Sequence, residues 1–214
     1  MKRSSPAVQP TFPNRRTFGF ALSFAAAAML AGASASAQSL QVGKKANDGM
    51  LSVGDRAPDF ELPVQGESGF VSLDELVKDG PVVVVVLRGF PGYQCGLCNQ
   101  QVGALLNRTA ALDTSLGNKP RRVVLVYPGP ELNLERHAKQ FIGSRRVPEL
   151  FVMVRDPGME MISQWGLRWD ARRETAYPAT FVIGEDKRIQ WAKVSKSHGG
   201  RASADEVIRA VNQL

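Results

Sequence analysis

Cysteine and histidine are scarce in these 214 residues, with two of each. The chain also carries no Gly-x-Gly-x-x-Gly after an apolar run and no Walker-type loop, so nothing in it points to a dinucleotide or nucleoside triphosphate, and no bound organic cofactor is implied. No basic run is interleaved with aromatics, which leaves nucleic-acid binding without support. Arg145-Arg146 and Arg172-Arg173 read as solvated pairs. The longest apolar stretch, residues 18–32, is too short and too alanine-rich for a stable bilayer span. There is no internal repeat.

What is present begins with a leader. Lys2, Arg3, Arg15 and Arg16 are the only charges in residues 1–37, and Ala35-Ser36-Ala37 is a small-x-small cleavage pattern before Gln38. Asn14-Arg15-Arg16-Thr17-Phe18 resembles a twin-arginine export signal. The expectation is an exported, periplasmic or otherwise extracytoplasmic chain. The alternative is a leader kept as an anchor. The leader holds four of the 27 Lys and Arg residues and none of the 20 Asp and Glu residues, so the net charge of +7 falls to +3 without it. Residues 38–53 read as a polar linker and 54–214 as one domain with a sizeable core.

The two cysteines form Cys95-Gly96-Leu97-Cys98, directly after the run Val82-Val83-Val84-Val85-Val86-Leu87 and a Gly/Pro loop. An apolar strand, a short loop and C-x-x-C at a helix start form the layout of a thiol redox site. The spacing lets the sulfurs close a small disulfide ring. The helix start offers unpaired N–H groups and a positive dipole end, which favour a thiolate. A purely structural bridge is the weaker reading, because closing so short a loop removes little chain entropy.

The remaining pattern is α/β. Residues 60–63 and 70–72 suit a hairpin, Ser72 a helix cap, and 81–87, 123–127 and 150–154 buried strands. From Cys98, Val102, Leu105, Leu106 and Leu112 recur near helical spacing. Helices are expected over 133–142 and 159–165, and a hairpin over 179–183 and 189–194. Ser203-Ala204-Asp205-Glu206 is a capping box for a last helix ending near Gln213. This order gives a mixed sheet with helices on both faces.

Two further segments carry a family resemblance. Gly54-Asp55-Arg56-Ala57-Pro58-Asp59-Phe60-Glu61-Leu62 is similar to the opening motif of the peroxiredoxin family (alkyl hydroperoxide reductase/thiol-specific antioxidant), and Pro178-Ala179-Thr180-Phe181-Val182-Ile183 to its late strand. The resemblance spans roughly residues 50–214 and implies a thioredoxin-like fold. It departs from the family at two places. In P-x-x-x-T-x-x-C, Pro91 and Cys98 keep their spacing, but Cys95 takes the Thr position. Pro178 stands where the family has an arginine. Both departures resemble thioredoxins, which the comparison implies would place a cis proline and substrate-pairing backbone at Pro178.

Two mechanisms follow. In disulfide exchange, Cys95 is an exposed nucleophile, Cys98 resolves the mixed disulfide, and the partner is a dithiol or disulfide protein. In peroxide reduction, Cys98 becomes the sulfenic acid and Cys95 condenses with it, with a hydroperoxide as substrate. Arg88 either lowers a thiol pKa or is a solvated loop residue. Tyr93 and Phe90 either wall the site or pack. Asp59 and Glu61 read as exposed carboxylates more than as proton-transfer groups, and the three tryptophans as core or half-buried surface. The third class is a copper-binding module of thioredoxin fold, using the cysteines with His198; His137 reads as part of a solvated helix face.

Overall fold

The computed structural model describes residues 49–130 and 132–214. The expected leader lies outside them, as does all but the end of the expected linker. At that end the Leu51 N–H donates to the Trp165 carbonyl at 3.3 Å, and Leu51 packs against the core.

The valine run decides the centre of the molecule. Val82–Val86 forms β3, with every residue buried. β-Branched side chains suit an extended backbone, and a strand apolar on both sides needs cover on both sides. The cover divides by alternation. Val82, Val84 and Val86 join one cluster with Phe60, Trp165 and Phe181. Val83 and Val85 join the other with Cys95, Cys98, Val102 and Tyr127. Burying each of these valines contributes about 1.5 kcal/mol or more.

Around β3 the sheet runs β5-β4-β3-β6-β7. β4 (Val123–Pro128) pairs parallel to β3 and to β5 (Phe151–Asp156). β6 (Ala179–Ile183) pairs antiparallel to β3 and to β7 (Ile189–Val194). A separate hairpin, β1 (Glu61–Pro63) and β2 (Phe70–Ser72), precedes them. α1 (Leu73–Leu76) and α5 (Glu160–Gln164) supply buried residues to the first cluster. α2 (Gly96–Leu106), α3 (Thr109–Ser115), α4 (Leu134–Ile142) and α6 (Ala204–Val211) cover the second. This is the thioredoxin-like arrangement that the resemblance implied.

The caps follow the sequence. Ser72 Oγ accepts from the Glu75 N–H, and Ser203 and Glu206 form the full capping box. The helical periodicity after Cys98 is interrupted, however, giving α2 and α3 instead of one helix. At the break Thr109 donates its hydroxyl to the Leu106 carbonyl at 2.6 Å. α5 is shorter than expected because Met159 sits at φ 56°, outside helical space. The buried Asp156 carboxylate starts that helix, accepting the Glu160 and Ile162 N–H groups at 3.0 Å each.

Candidate thiol redox site

The loop after β3 is pinned against the end of β4. Gly89 has φ 77°, and a Cβ there would collide with the Pro128 carbonyl, so only glycine fits both the turn and the approach. The Phe90 N–H then donates to that same carbonyl at 3.0 Å. This turns the chain over the sheet and delivers Cys95 to the start of α2.

Cys95 is the N-cap of α2. Its Sγ accepts the Cys98 N–H at 3.3 Å, in the place where a Ser or Asp oxygen commonly sits. Both cysteines are free thiols, and their environments push them apart. The Cys98 side chain hydrogen-bonds the Cys95 sulfur; that bond, the Cys98 backbone N–H and the charges of Arg201 and Arg88 outweigh burial and lower the Cys95 pKa to about 5. The same hydrogen bond, with burial, pushes the Cys98 thiol far up. One sulfur is therefore a thiolate at neutral pH and the other holds its proton. Cys98 is fully buried and Cys95 is only 5% exposed. The expected exposed nucleophile is thus recessed, although Gly96, Leu97 and Tyr93 beside it reach solvent.

Arg88 is not a solvated loop residue. Its side chain is 4% exposed. Nε ion-pairs with one Glu174 oxygen, and Nη2 donates to the other at 2.8 Å. Nη2 also donates to the Tyr93 hydroxyl at 2.5 Å and the Arg173 carbonyl at 2.8 Å. Burial alone would lower its pKa, but the bonds with Glu174 and Tyr93 outweigh it, so the cation persists. Tyr93 is thereby fixed over the loop, with its ring 4.9 Å from the guanidinium carbon. Pro91 lies half-buried in the same loop.

Pro178 leads into β6, and Ala179 after it pairs with Val86, at the end of β3 that leads to Arg88. Backbone on both sides of this proline is already engaged: the Tyr177 N–H donates to Leu167 at 2.9 Å, and the Pro178 carbonyl accepts from Ser195 at 2.8 Å. The resemblance implied backbone open to a substrate here. The first bond instead closes residues 167–177, a hairpin-like excursion with Arg168 and Ala176 bridged across it, and the second ties Pro178 to the chain leaving β7.

That excursion supplies Glu174, which the sequence reading did not single out. His198 Nε2 lies 2.9 Å from a Glu174 oxygen, and its ring lies 5.2 Å from Trp169. His198 is thus engaged by a carboxylate, and among the described residues no three His, Cys, Asp or Glu side chains cluster as metal ligands would. His137 is not simply solvated: its ring stacks on Phe90 at 3.6 Å. Asp59 accepts the Asp74 N–H at 2.8 Å, a structural use. Trp165 is core, and Trp191 packs half-buried.

Two further residues, Tyr127 and Arg201, carry no signal in the sequence pattern. Tyr127, buried on β4, donates its hydroxyl to Gln94 at 2.8 Å, and Gln94 donates to the His137 carbonyl at 2.9 Å, which braces the loop before Cys95. Arg201 places Nη2 3.5 Å from Cys95 Sγ. It is 106 positions away in sequence, so no local pattern links the two.

The Redoxin family model matches residues 52–208. The chain belongs to the Redoxin family. As a redoxin it is an oxidoreductase of thiol chemistry. Solved structures agree on the fold. The peroxidoxin BcpB from Mycobacterium tuberculosis superposes with TM-score 0.58 at 21% identity, over 76% of this chain and 97% of that one. The mitochondrial 2-Cys peroxiredoxin from Plasmodium falciparum gives 0.57 at 14% identity, over 76% and 93%. AhpC of Mycobacterium tuberculosis gives 0.54 at 16%, over 76% and 92%. A search of curated proteins returns no match.

Proposed function

We propose that this redoxin is an exported thiol–disulfide oxidoreductase in which Cys95 attacks and Cys98 resolves. The observation that carries the reading is the split between the sulfurs: a capped, lowered-pKa Cys95 beside a fully buried, protonated Cys98. The Cys95 thiolate attacks one sulfur of a partner disulfide. That S–S bond breaks, and the departing partner sulfur takes up a proton. Cys98 then loses its proton and attacks Cys95 Sγ; the mixed disulfide breaks and the second partner sulfur leaves. Two electrons have passed to the partner, and Cys95–Cys98 is a disulfide. A second dithiol protein must return the enzyme to its reduced form.

The peroxiredoxin resemblance keeps peroxide reduction as a second reading. There a thiolate attacks a peroxide oxygen, the O–O bond breaks with loss of water or alcohol, and the resulting sulfenic acid condenses with the other cysteine. The geometry favours Cys95 over Cys98 for that attack too, since Cys98 is buried and protonated. The copper reading has the weakest support, because His198 is turned to Glu174.

Insulin-disulfide reduction tests the proposal. Wild type should reduce insulin and Cys95→Ser should not, while Cys98→Ser should accumulate a mixed disulfide. Negligible disulfide reduction alongside peroxide turnover that Cys95→Ser abolishes, with Cys98→Ser stopping at a single-round sulfenic acid, replaces the reading with the peroxidase. Export rests on the Arg15-Arg16 leader; R15K/R16K should strand the chain in the cytoplasm, and unchanged fractionation contradicts that part.

A further inference from the structure

Two guanidinium groups act electrostatically on Cys95, and they differ in what else they hold. Arg88 is committed: both its Nε and Nη2 are on Glu174. The Glu174 carboxylate offsets part of the Arg88 charge, and the effect of Arg88 on Cys95 ranks after that of Arg201. Arg201 has no carboxylate partner among the described residues. Its Nε donates to the His198 carbonyl at 3.1 Å and its Nη1 to Gln101 Oε1 at 3.3 Å. That leaves Nη2 aimed at Cys95 Sγ, 3.5 Å away. Gln101 is itself buried on α2 and donates to the Ala202 carbonyl at 3.4 Å. The guanidinium is therefore fixed from both ends, by α2 below and by the chain entering α6 above.

We propose that Arg201 supplies the positive charge that holds the Cys95 sulfur as its reactive anion, and that Gln101 positions it. The proposal deepens the reading of Cys95 as the attacking sulfur and rests on it. Pro178 occupies the place at the head of β6 where the family carries an arginine. Here the cation comes instead from the loop after β7. That loop is shaped for the task, because Ser195 Oγ donates to the Ser197 carbonyl at 2.9 Å and Gly200 turns the chain at φ 70°. The arrangement ties reactivity to redox state. Once Cys95 is in a disulfide its charge is gone, and Arg201 loses the anion that draws it to α2.

The test is the pH profile of iodoacetamide alkylation of the reduced full chain, with the modified cysteine assigned by peptide mass spectrometry. Wild type should alkylate first at Cys95 with a midpoint at about 5. Arg201→Gln should raise that midpoint by about one unit and slow alkylation at pH 5 about fivefold. Arg201→Lys should recover most of the shift. Arg209→Gln, which removes one exposed cation from α6, should leave the midpoint in place, and matched melting curves exclude a loss of fold. An unmoved midpoint in Arg201→Gln, with Cys95 still modified first, overturns the role of Arg201 alone, as does a Lys variant that shifts as far as the Gln variant. A wild-type chain in which Cys98 is modified first overturns the Cys95 assignment and this role with it.

Discussion

Arg88 follows the C-terminal end of β3, and Arg122 precedes the N-terminal start of β4, so two buried arginines mark opposite ends of parallel strands. They are satisfied in opposite ways. Arg122 donates to backbone carbonyls only: Leu76 at 2.7 Å, Gly80 at 3.1 Å and Pro120 at 3.2 Å. Burial lowers its pKa, against the charge of Asp79. Arg88 instead holds a carboxylate and a phenol, and its pKa is raised. Carbonyl partners do not titrate, so the Arg122 end is a fixed clasp between the turn after α1 and the start of β4. Side-chain partners do titrate and can move, so the Arg88 end is sensitive to its surroundings. The cysteines sit at that second end.

The largest break of this contrast is Cys95→Ser. Disulfide reduction should fall to background while the melting temperature stays near wild type; a large loss of stability would show that the two ends are not separable. Arg122→Met should do the reverse. It leaves three carbonyls unpaired and should cost about 3 kcal/mol in denaturant unfolding, with Cys95 alkylation unchanged. Glu174→Gln comes next, at about 2 kcal/mol, because it leaves Arg88 buried beside a neutral partner that still accepts a hydrogen bond. Burial opposes ionisation of Glu174, but bonds from Arg88 and His198 outweigh it and hold the carboxyl below its usual range. The unfolded chain then binds this proton more readily than the folded one. The stabilisation is therefore complete above the ordinary carboxylate range and lost as pH falls through the lowered folded value. Glu174→Gln should flatten that part of the acid limb, and an identical acid limb in the variant contradicts the pairing. The smallest effect belongs to Tyr93→Phe, which removes one hydrogen bond to Arg88 and should cost under about 1 kcal/mol.

Legibility from sequence followed the range of the interactions. The valine run, the Ser203 capping box and the β6–β7 hairpin rest on neighbours a few residues apart, and all were readable. Cys95 and Cys98 could be set at a helix start for the same reason. The status of Arg88 stayed open because its partner, Glu174, is 86 positions away. Arg201 and Tyr127 went unnoticed, and residues 166–177 had no assigned structure, because their meaning lies in what they meet across the fold. The break between α2 and α3 was hidden as well, since apolar spacing continues through it.

The amino-acid sequence alone determined which atoms can do chemistry here, since two sulfurs three positions apart on one helical turn are bound to lie within reach of each other. It also determined that β3 is central, because five consecutive valines need cover on both faces. The tertiary structure decided which sulfur carries the charge. That asymmetry comes from the hydrogen bond between the two thiols, the depth of Cys98 and the charge of an arginine that enters from the chain before α6. Electrostatic effects depend on distance and burial in space, and chain order does not encode either.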